Sequence, residues 1–560
     1  MLQNIVLNAQ IIESLITISN KQTPIIMKGN LISIIISICC IVNTHSYAST
    51  PIISVHDSIV GTSNVTGVPI KAQRYVINGK LSGWHWDGIS DNLLLEIKDF
   101  NNRGMSFKNS GTINMIDLKT KDLKWKRPIN FNSSKVNYQG ENLFLSEKKK
   151  NLCINPETGI VMWKNRNEFY FIDPFQNIGI GYPIHSMSNR LTAVDLTNGK
   201  ELWKSKIERS SGWDDAYMLN DSILLISVDG INAINLKSGM QWTYKASTSN
   251  KEIGKMIGIN ILGIIVGLIS DSYFYQTQPD ISYDMVSNML IDPYENIIMA
   301  SNDKISKLDS YGQIIWSSPL TKKKTSKSSL FLIDSKLYMI NTGYGQYNGN
   351  FSLIGEPYIA SFDLNSGKEI FKTIVTENND FIRNYQVVND ILFLVFKDKL
   401  ITYSLNDGSK SNEIKFQLDE NEQFDRFVET GIYWKDSDSY FRELSSYYSN
   451  HNLLMTSNGR VFVLTDNLET VLVYDKRDLY HKSINNPKYE LITNNNYDYI
   501  ILNNSATPIA SITANDDLFI NRDKLYSVDN ESFWEIDLNQ IYQSPTLWQY
   551  IFDNVYKYIH

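Results

Sequence analysis

The sequence predicts an all-β chain: a β-propeller of four-stranded blades, eight-bladed, with seven or nine blades as the neighbouring counts. Three observations predict it. A strand, a tight turn and a second strand recur with a period near 40 residues. An aromatic residue follows each turn at a nearly fixed interval. A polar pair and a short apolar strand come before each copy.

The sharpest copy is Leu191-Thr-Ala-Val-Asp-Leu-Thr-Asn-Gly-Lys-Glu-Leu-Trp203. Thr192, Val194 and Leu196 alternate with Ala193 and Asp195, as a pleated strand requires. Asn198-Gly199 supplies the turn, because glycine accepts the positive φ such turns need. Leu202 and Trp203 begin a new apolar surface. One such unit cannot bury its own faces, so copies must stack.

The copies follow in order. Asp117 leads to Trp125, Asn155 to Trp163, Asp195 to Trp203, Asn235 to Trp242, Asp309 to Trp316 and Asp363 to Phe371. Ile401–Leu405 with Asp407-Gly408 is weaker, and Val461–Leu464 and Leu525–Asp529 with Trp534 are fainter. The anchors at 117, 155, 195 and 235 step by 38, 40 and 40 residues. The step of 74 to Asp309 reads as two periods with one degraded copy. The step of 54 to Asp363 reads as one period plus an inserted loop. A period of this length built from strands points to propeller blades rather than a helical solenoid. The preceding strands are seen in Glu141–Leu145, Asn220–Ile226, Asp334–Ile340 and Asn389–Val395.

Each recurring residue type has a structural reading. A large aromatic at one site per blade wedges between neighbours and buries ~150–250 Å². Trp125, Trp163, Trp203, Trp242, Trp316 and Phe371 are therefore read as blade-docking residues. The Asp and Asn anchors read as turn fixers that accept backbone N–H groups.

The ends are read by composition. Residues 1–26 form an upstream extension without a clear role. Residues 27–48 read as a signal peptide or an uncleaved membrane anchor: Met27-Lys28, then an apolar run Leu31–Val42, then Ser46-Tyr47-Ala48 as a small-x-small cleavage site. Export to the periplasm, the outer envelope or the medium follows from that reading. Residues 49–75 read as an extended lead-in able to supply a strand that closes the ring. The propeller spans 76–543, and 544–560 is a C-terminal helix or tail. The uncharged run Met256–Ile269 is too short for a membrane span and reads as inner strands of the degraded blade.

Rim insertions are expected near 270–285, 341–357 and 419–450. Loops carry binding function when the framework is spent on packing. They put forward Tyr273, Tyr275, Tyr344, Tyr347, Trp434, Tyr440 and Tyr447 as partner contacts. His85, between two tryptophans, joins them. Arg442–Tyr448 reads as a short helix.

Composition narrows the function classes. The net charge of the 560-residue chain is −7, its acidic and basic residues are mixed, and no basic patch with interleaved aromatics points to nucleic acid. Three cysteines occur; Cys39 and Cys40 fall in the leader, and Cys153 falls in a strand as a small core residue. The seven histidines form no His-x-x-x-His pattern, and no phosphate loop or nucleophile elbow is present. No metal site and no catalytic residue can be named from spacing alone.

The unit Ala193-Val-Asp-Leu-Thr-Asn-Gly-Lys-Glu-Leu-Trp203 resembles the repeat of pyrroloquinoline quinone (PQQ)-like propellers, over about residues 75–535. The resemblance implies the propeller fold. The family holds quinone-dependent alcohol and sugar dehydrogenases, and also non-enzymatic members such as the lipoprotein of the outer-membrane barrel-assembly machinery. The alcohol dehydrogenases use an adjacent disulfide beside the quinone, calcium held by Glu, Asn and Asp, and an Asp base. No residue here matches those roles, and the adjacent cysteines lie in the leader. The expectation is an exported, non-enzymatic scaffold without a cofactor. Its partner is a protein, or a glycan, with membrane contact only through an uncleaved N-terminal segment. The alternative is a PQQ- and calcium-dependent oxidoreductase acting on alcohols or sugars.

Overall fold

The computed structural model describes residues 51–543, apart from 246–285 and the short segments 102–105, 140–141, 185–187, 208–212, 214, 228–229, 322–324, 348–349, 354, 376–379, 429–431, 436–440, 475–478, 483, 485, 494–497, 504–506 and 516. The readings of the extension, the leader, the run Met256–Ile269 and the C-terminal segment lie outside the described residues.

Alternating apolar strands fold here into antiparallel sheets throughout. Eight separate four-stranded sheets form, stacked as propeller blades, and one longer sheet stands between the last and the first of them. Blade 1 spans 80–130, blade 2 134–165, blade 3 167–206 and blade 4 215–244. Blade 5 spans 290–319, blade 6 328–374, blade 7 384–415 and blade 8 424–474. Strands in each blade are lettered A to D in chain order. Strands B and C are buried almost throughout, as in Leu224–Ser227 and Ile231–Ala233. Strand D is mostly exposed, as in Glu201–Lys206 and Lys410–Lys415. Strand A is half-buried, as in Asn384–Val388. The D edges therefore face outwards and the A edges face the axis.

The remaining long sheet has eleven strands. One run in it is Leu479–Lys482, Tyr489–Thr493, Asp498–Asn503 and Pro508–Thr513. A second run is Asp517–Asn521, Lys524–Val528 and Ser532–Asp537, completed by Pro69–Ile77 from the other end of the chain. Ile52–Ser63 stitches the two runs together, pairing with Pro69–Ile77 along its length and with Ala510–Ile512 at its end. Pairing the first described strands with the last removes two free edges at once.

The core is divided among the interfaces between neighbouring sheets. Leu94, Met115 and Trp125 of blade 1 pack on Leu143 and Leu145 of blade 2. Equivalent clusters join blades 3 and 4, 4 and 5, 5 and 6, and 6 and 7. The last cluster sets Phe519, Tyr526 and Phe533 of the long sheet against Leu81, Leu93 and Leu95 of blade 1, which closes the ring.

One bond type recurs at the junctions. The indole N–H of Trp125 donates to Pro156 O (2.6 Å), that of Trp163 to Leu196 O (2.7 Å) and that of Trp203 to Leu236 O (2.7 Å). Trp242 donates to Ser310 O and Trp316 to Leu364 O, both at 3.0 Å. Every acceptor lies in the C–D turn of the next blade. Each ring lies on that turn's glycine: a Cβ at Gly199 would stand 2.7 Å from the Trp163 ring, and one at Gly367 2.4 Å from Trp316. Gly199 also has φ +72°, a left-handed conformation glycine adopts freely. Phe371 lies on Gly408 in the same way, without an N–H to donate. The turns are held by their anchors. Asp195 Oδ1 accepts from Thr197 N, and Asn155 Oδ1 from Glu157 N, both at 2.9 Å.

Trp242 reaches the turn Asp309–Gln313 directly, so blades 4 and 5 are neighbours. The step of 74 residues is therefore not two periods with a degraded blade between them. The step of 54 holds an extra hairpin, Tyr344–Tyr347 with Asn350–Leu353. Trp534 is not a docking residue: it sits in a C strand and its indole donates to Asp529 Oδ2 of its own hairpin (3.1 Å).

Two of the junctions that lack the aromatic carry polar replacements. Between blades 7 and 8, Asn412 takes the indole's place and donates to Asn467 O (3.1 Å), and Leu468 stands at the glycine position with φ +68°. Between the long sheet and blade 1, Gln73 takes the place of the tryptophan and Lys121, at φ +65°, that of the glycine. Lys121 pairs there with Glu535, which also receives Lys524 and the Tyr526 hydroxyl (3.0 Å). The Lys121 ammonium lies over the Tyr75 and Tyr526 rings, 5.6 and 5.4 Å from their centroids. Burial pushes the Lys121 ammonium down and by itself pushes the Glu535 carboxyl up. Two ammoniums converging on one carboxylate outweigh that burial and hold Glu535 below the usual carboxylate range.

Candidate interaction surface

In a blade with strands A to D, the A–B and C–D turns lie at one end of the sheet. The B–C turn and the link from D to the next A lie at the other. Insertions can be placed by this rule. The hairpin Tyr344–Leu353 interrupts blade 6 between strands B and C. The segment 428–451 interrupts blade 8 between strands A and B, so it emerges at the opposite end. Its strand Ile432–Lys435 then pairs with Leu479–Lys482, the axial edge of the long sheet. Tyr433 is buried on Ile492 and Leu502, and its hydroxyl donates to Glu490 Oε2 (2.9 Å). Burial and that carboxylate raise the phenol's pKa.

The residues put forward by sequence do not form one site. Tyr344 is half-buried, stacked at a tilt on Phe381 (4.8 Å), with the Lys327 ammonium 3.4 Å from its hydroxyl. Arg383, itself over the Phe381 ring at 4.6 Å, has an Nε with no hydrogen-bond partner. Burial lowers its guanidinium's pKa against nearby Asp380. Tyr347 and Trp434 lie in short strands at opposite ends of the ring. Tyr447 ends the helix α1 (Leu444–Tyr447), is 55% exposed, and meets Tyr448 edge-on at 4.9 Å. Tyr273, Tyr275 and Tyr440 lie outside the described residues.

His85 is half-buried. Its Nε2 lies 2.7 Å from Glu96 Oε1 within its own blade. Its neighbours Trp84 and Trp86 stack on Phe519 of the long sheet at 5.1 and 4.7 Å. The two tryptophans are engaged in the junction with the long sheet, and His85 is paired within blade 1.

Among the described residues, no group of three or more His, Cys, Asp or Glu side chains could hold a metal ion. Among the described residues Cys153 is a buried free thiol, and burial pushes its pKa up to about 12, which disfavours the reactive thiolate. The buried carboxylates are spent on structure. Asp292 pairs with Lys307 (2.9 Å), and Glu422 holds the Arg460 guanidinium and accepts from Asp419 N (3.0 Å). The described residues do not fit the calcium and disulfide set of the dehydrogenases. Among the described residues, no helix is long and apolar enough to cross a membrane.

No protein-family model matches the chain. No curated protein matches it. Solved structures do. BamB from Moraxella catarrhalis is 12% identical, with 72% of this chain and 96% of that chain covered and a TM-score of 0.31. The computationally designed Ika8 protein is 11% identical, with 71% and 97% covered and a TM-score of 0.27. The Cps50 (Swd1) β-propeller domain of Myceliophteria thermophila is 11% identical, with 63% and 92% covered and a TM-score of 0.25. The fold is a β-propeller. That assignment rests on the four-stranded sheets and the docked indoles, not on these likenesses.

Sequence reasoning missed one set of exposed residues. The A–B turns of three blades each carry a large apolar side chain at their tip: Ile89 (81% exposed), Phe175 (77%) and Tyr294 (84%). The signal for two of them was present as Asp173-Pro-Phe-Gln-Asn177 and Asp292-Pro-Tyr-Glu-Asn296. It lies in the A–B turns, whereas the regular spacing of anchors lies in the C–D turns.

Proposed function

We propose that this protein is an exported, non-enzymatic propeller of the PQQ-like repeat type, acting as a scaffold that binds a protein partner through its insertions and turn tips. The observation that carries the reading is the division of labour among its aromatic residues. The docking tryptophans are consumed between blades, whereas Tyr447, on an insertion anchored by Leu444 and Tyr433, faces solvent. A tyrosine on a fixed base contributes contact area at low ordering cost. Export is supported by the leader reading of residues 27–48.

Two experiments test the proposal. A photo-crosslinking residue placed at Tyr447, at Tyr344 and at the outer-strand control Leu202 in the source cell is expected to trap one recurrent protein at the first or second position and none at the third. Absence of a trapped partner at both tyrosines would overturn the scaffold reading. Purified protein mixed with PQQ and calcium is expected to retain no quinone absorbance after gel filtration and to reduce no dye with alcohols or sugars. Turnover in that assay would favour the dehydrogenase alternative.

A further inference from the structure

The exposed turn tips are built alike. In each, an aspartate carboxylate accepts the backbone N–H of the apolar residue two positions on. Asp87 Oδ1 holds Ile89 N (3.0 Å), Asp173 Oδ1 holds Phe175 N (2.9 Å) and Asp292 Oδ1 holds Tyr294 N (2.9 Å). The turn backbone is thus fixed while the side chain projects into water. One exposed apolar residue means little by itself. The same turn position exposed in blades 1, 3 and 5 is a surface pattern.

The tips are also tied together. Gln176, next to Phe175, donates from Nε2 to Asp221 O in the A–B turn of blade 4. Asn220 of that turn donates from Nδ2 to Glu295 Oε2, next to Tyr294 (3.0 Å). The A–B turns of blades 3, 4 and 5 therefore form one hydrogen-bonded row with an aromatic ring near each end. The insertion that carries Tyr447 leaves blade 8 at this same end of the ring.

The charge of the A–B turns in blades 3 to 7 is acidic, while Arg522 of the long sheet pairs with Asp91 in the blade 1 turn and Lys200, Lys237 and Lys368 stand in the C–D turns at the same end. Asp221, Asp334 and Asp390 are exposed in the A–B turns of blades 4, 6 and 7, and Glu295 is half-exposed in that of blade 5. Among the described residues, the A–B turns of blades 1 and 3 to 7 contain no Lys or Arg. Aromatic faces beside carboxylates attract ammonium and guanidinium groups both by charge and through the ring quadrupole.

We infer that the A–B turn row is a docking surface for a cationic polypeptide segment, one that alternates Lys or Arg with apolar residues. Phe175 and Tyr294 take the apolar groups, and Asp221 and Glu295 face the cations. The inference rests on the scaffold reading and adds to it which end of the ring binds and what chemistry it selects.

The test uses the purified protein and three labelled synthetic peptides: lysines alternating with valines, and the same peptide with glutamate or with serine replacing lysine. Binding is followed by fluorescence anisotropy at low and moderate salt. The lysine peptide is expected to bind and the glutamate peptide not to. Phe175→Ser with Tyr294→Ser is expected to weaken binding about tenfold, the loss typical of truncating central contacts. Asp221→Asn is expected to weaken it less and to flatten its salt dependence. Leu202→Ser, on an outer strand, is expected to leave binding and melting temperature unchanged. Equal binding of the lysine and serine peptides, or full binding by the Phe175/Tyr294 variant, overturns the inference. Failure of all three peptides overturns the cationic assignment, while crosslinking at Tyr447 and Tyr344 still decides the scaffold reading separately. Loss of lysine-peptide binding through Tyr344→Ser, with the turn variants intact, leaves the scaffold reading standing and moves the surface to the other end.

Discussion

Blades 2 and 3 meet through an indole laid on a glycine; the two ends of the described chain meet through a buried ion pair. The backbone places both junctions identically. Trp163 pairs across its sheet with Cys153, and Gln73 pairs with Glu535 at the matching position. What differs is the problem solved. Blades 2 and 3 are neighbours in sequence, so the next turn is always at hand and burial suffices. The closing strand Pro69–Ile77 must find a partner more than four hundred residues away, among many strands of similar pattern. An indole fits any turn that carries a glycine. Lys121 fits only a site that offers a carboxylate, and such a pair discriminates between partners more than it adds stability.

The comparison can be broken from either side. Trp163→Ala is expected to give the largest loss, about 3–5 kcal/mol in urea unfolding, because it removes a buried ring and leaves a cavity on Gly199. Glu535→Ala is expected to cost about 3 kcal/mol or more, since Lys121 and Lys524 then face each other without a counter-charge. Lys121→Met combined with Glu535→Leu is expected to recover most of that stability. The double variant should also yield more misassembled protein on refolding, measured by gel filtration. Normal refolding yield would show that the ion pair has no part in selecting the closing strand.

Trp203→Phe sharpens the first half of the comparison. It keeps most of the ring and removes the N–H, leaving Leu236 O without its 2.7 Å donor. A loss of about 1–2 kcal/mol is expected. Phe371 already occupies such a junction, so Phe371→Tyr is expected to change stability little.

Acid sharpens the second half. Glu535 is held below its ordinary value, so its contribution is fully present above the unfolded carboxylate range near about pH 4.3. It is lost as pH falls through the lowered folded value. Melting temperature followed from neutral pH downwards should therefore fall less steeply in the Lys121→Met, Glu535→Leu variant than in the parent protein. Parallel curves would contradict the assignment.

The all-β repeat was legible because it depends on local chemistry: an anchor, a glycine and alternating apolar residues written within a dozen positions. Asp195 and Gly199 announce their turn unaided. Long-range features left weaker marks. The spacing from Asn235 to Asp309 measures chain length, not blade number, and only the bond from Trp242 to Ser310 reveals that the two blades touch. Nothing near Lys121 in sequence names Glu535. Asn412 hid for the same reason: its acceptor, Asn467, lies in the next blade. Of the surface, the insertions around Tyr344 and Tyr447 were visible as breaks in the period. The tips at Phe175 and Tyr294 lie in short A–B turns and make no break in the spacing of the anchors. That the two insertions leave opposite ends of the ring follows from strand order, which single residues do not encode.

The most direct measurement is a double-mutant cycle on Trp163 and Gly199, read by urea unfolding of the parent, Trp163→Ala, Gly199→Ala and the pair. A methyl at residue 199 meets the ring only when the ring is present. Docking of the indole on the glycine therefore predicts a coupling of at least about 1 kcal/mol, with Gly199→Ala costing much less in the Trp163→Ala background. Additivity within about 0.5 kcal/mol would contradict it, and with it the claim that these rings join the blades.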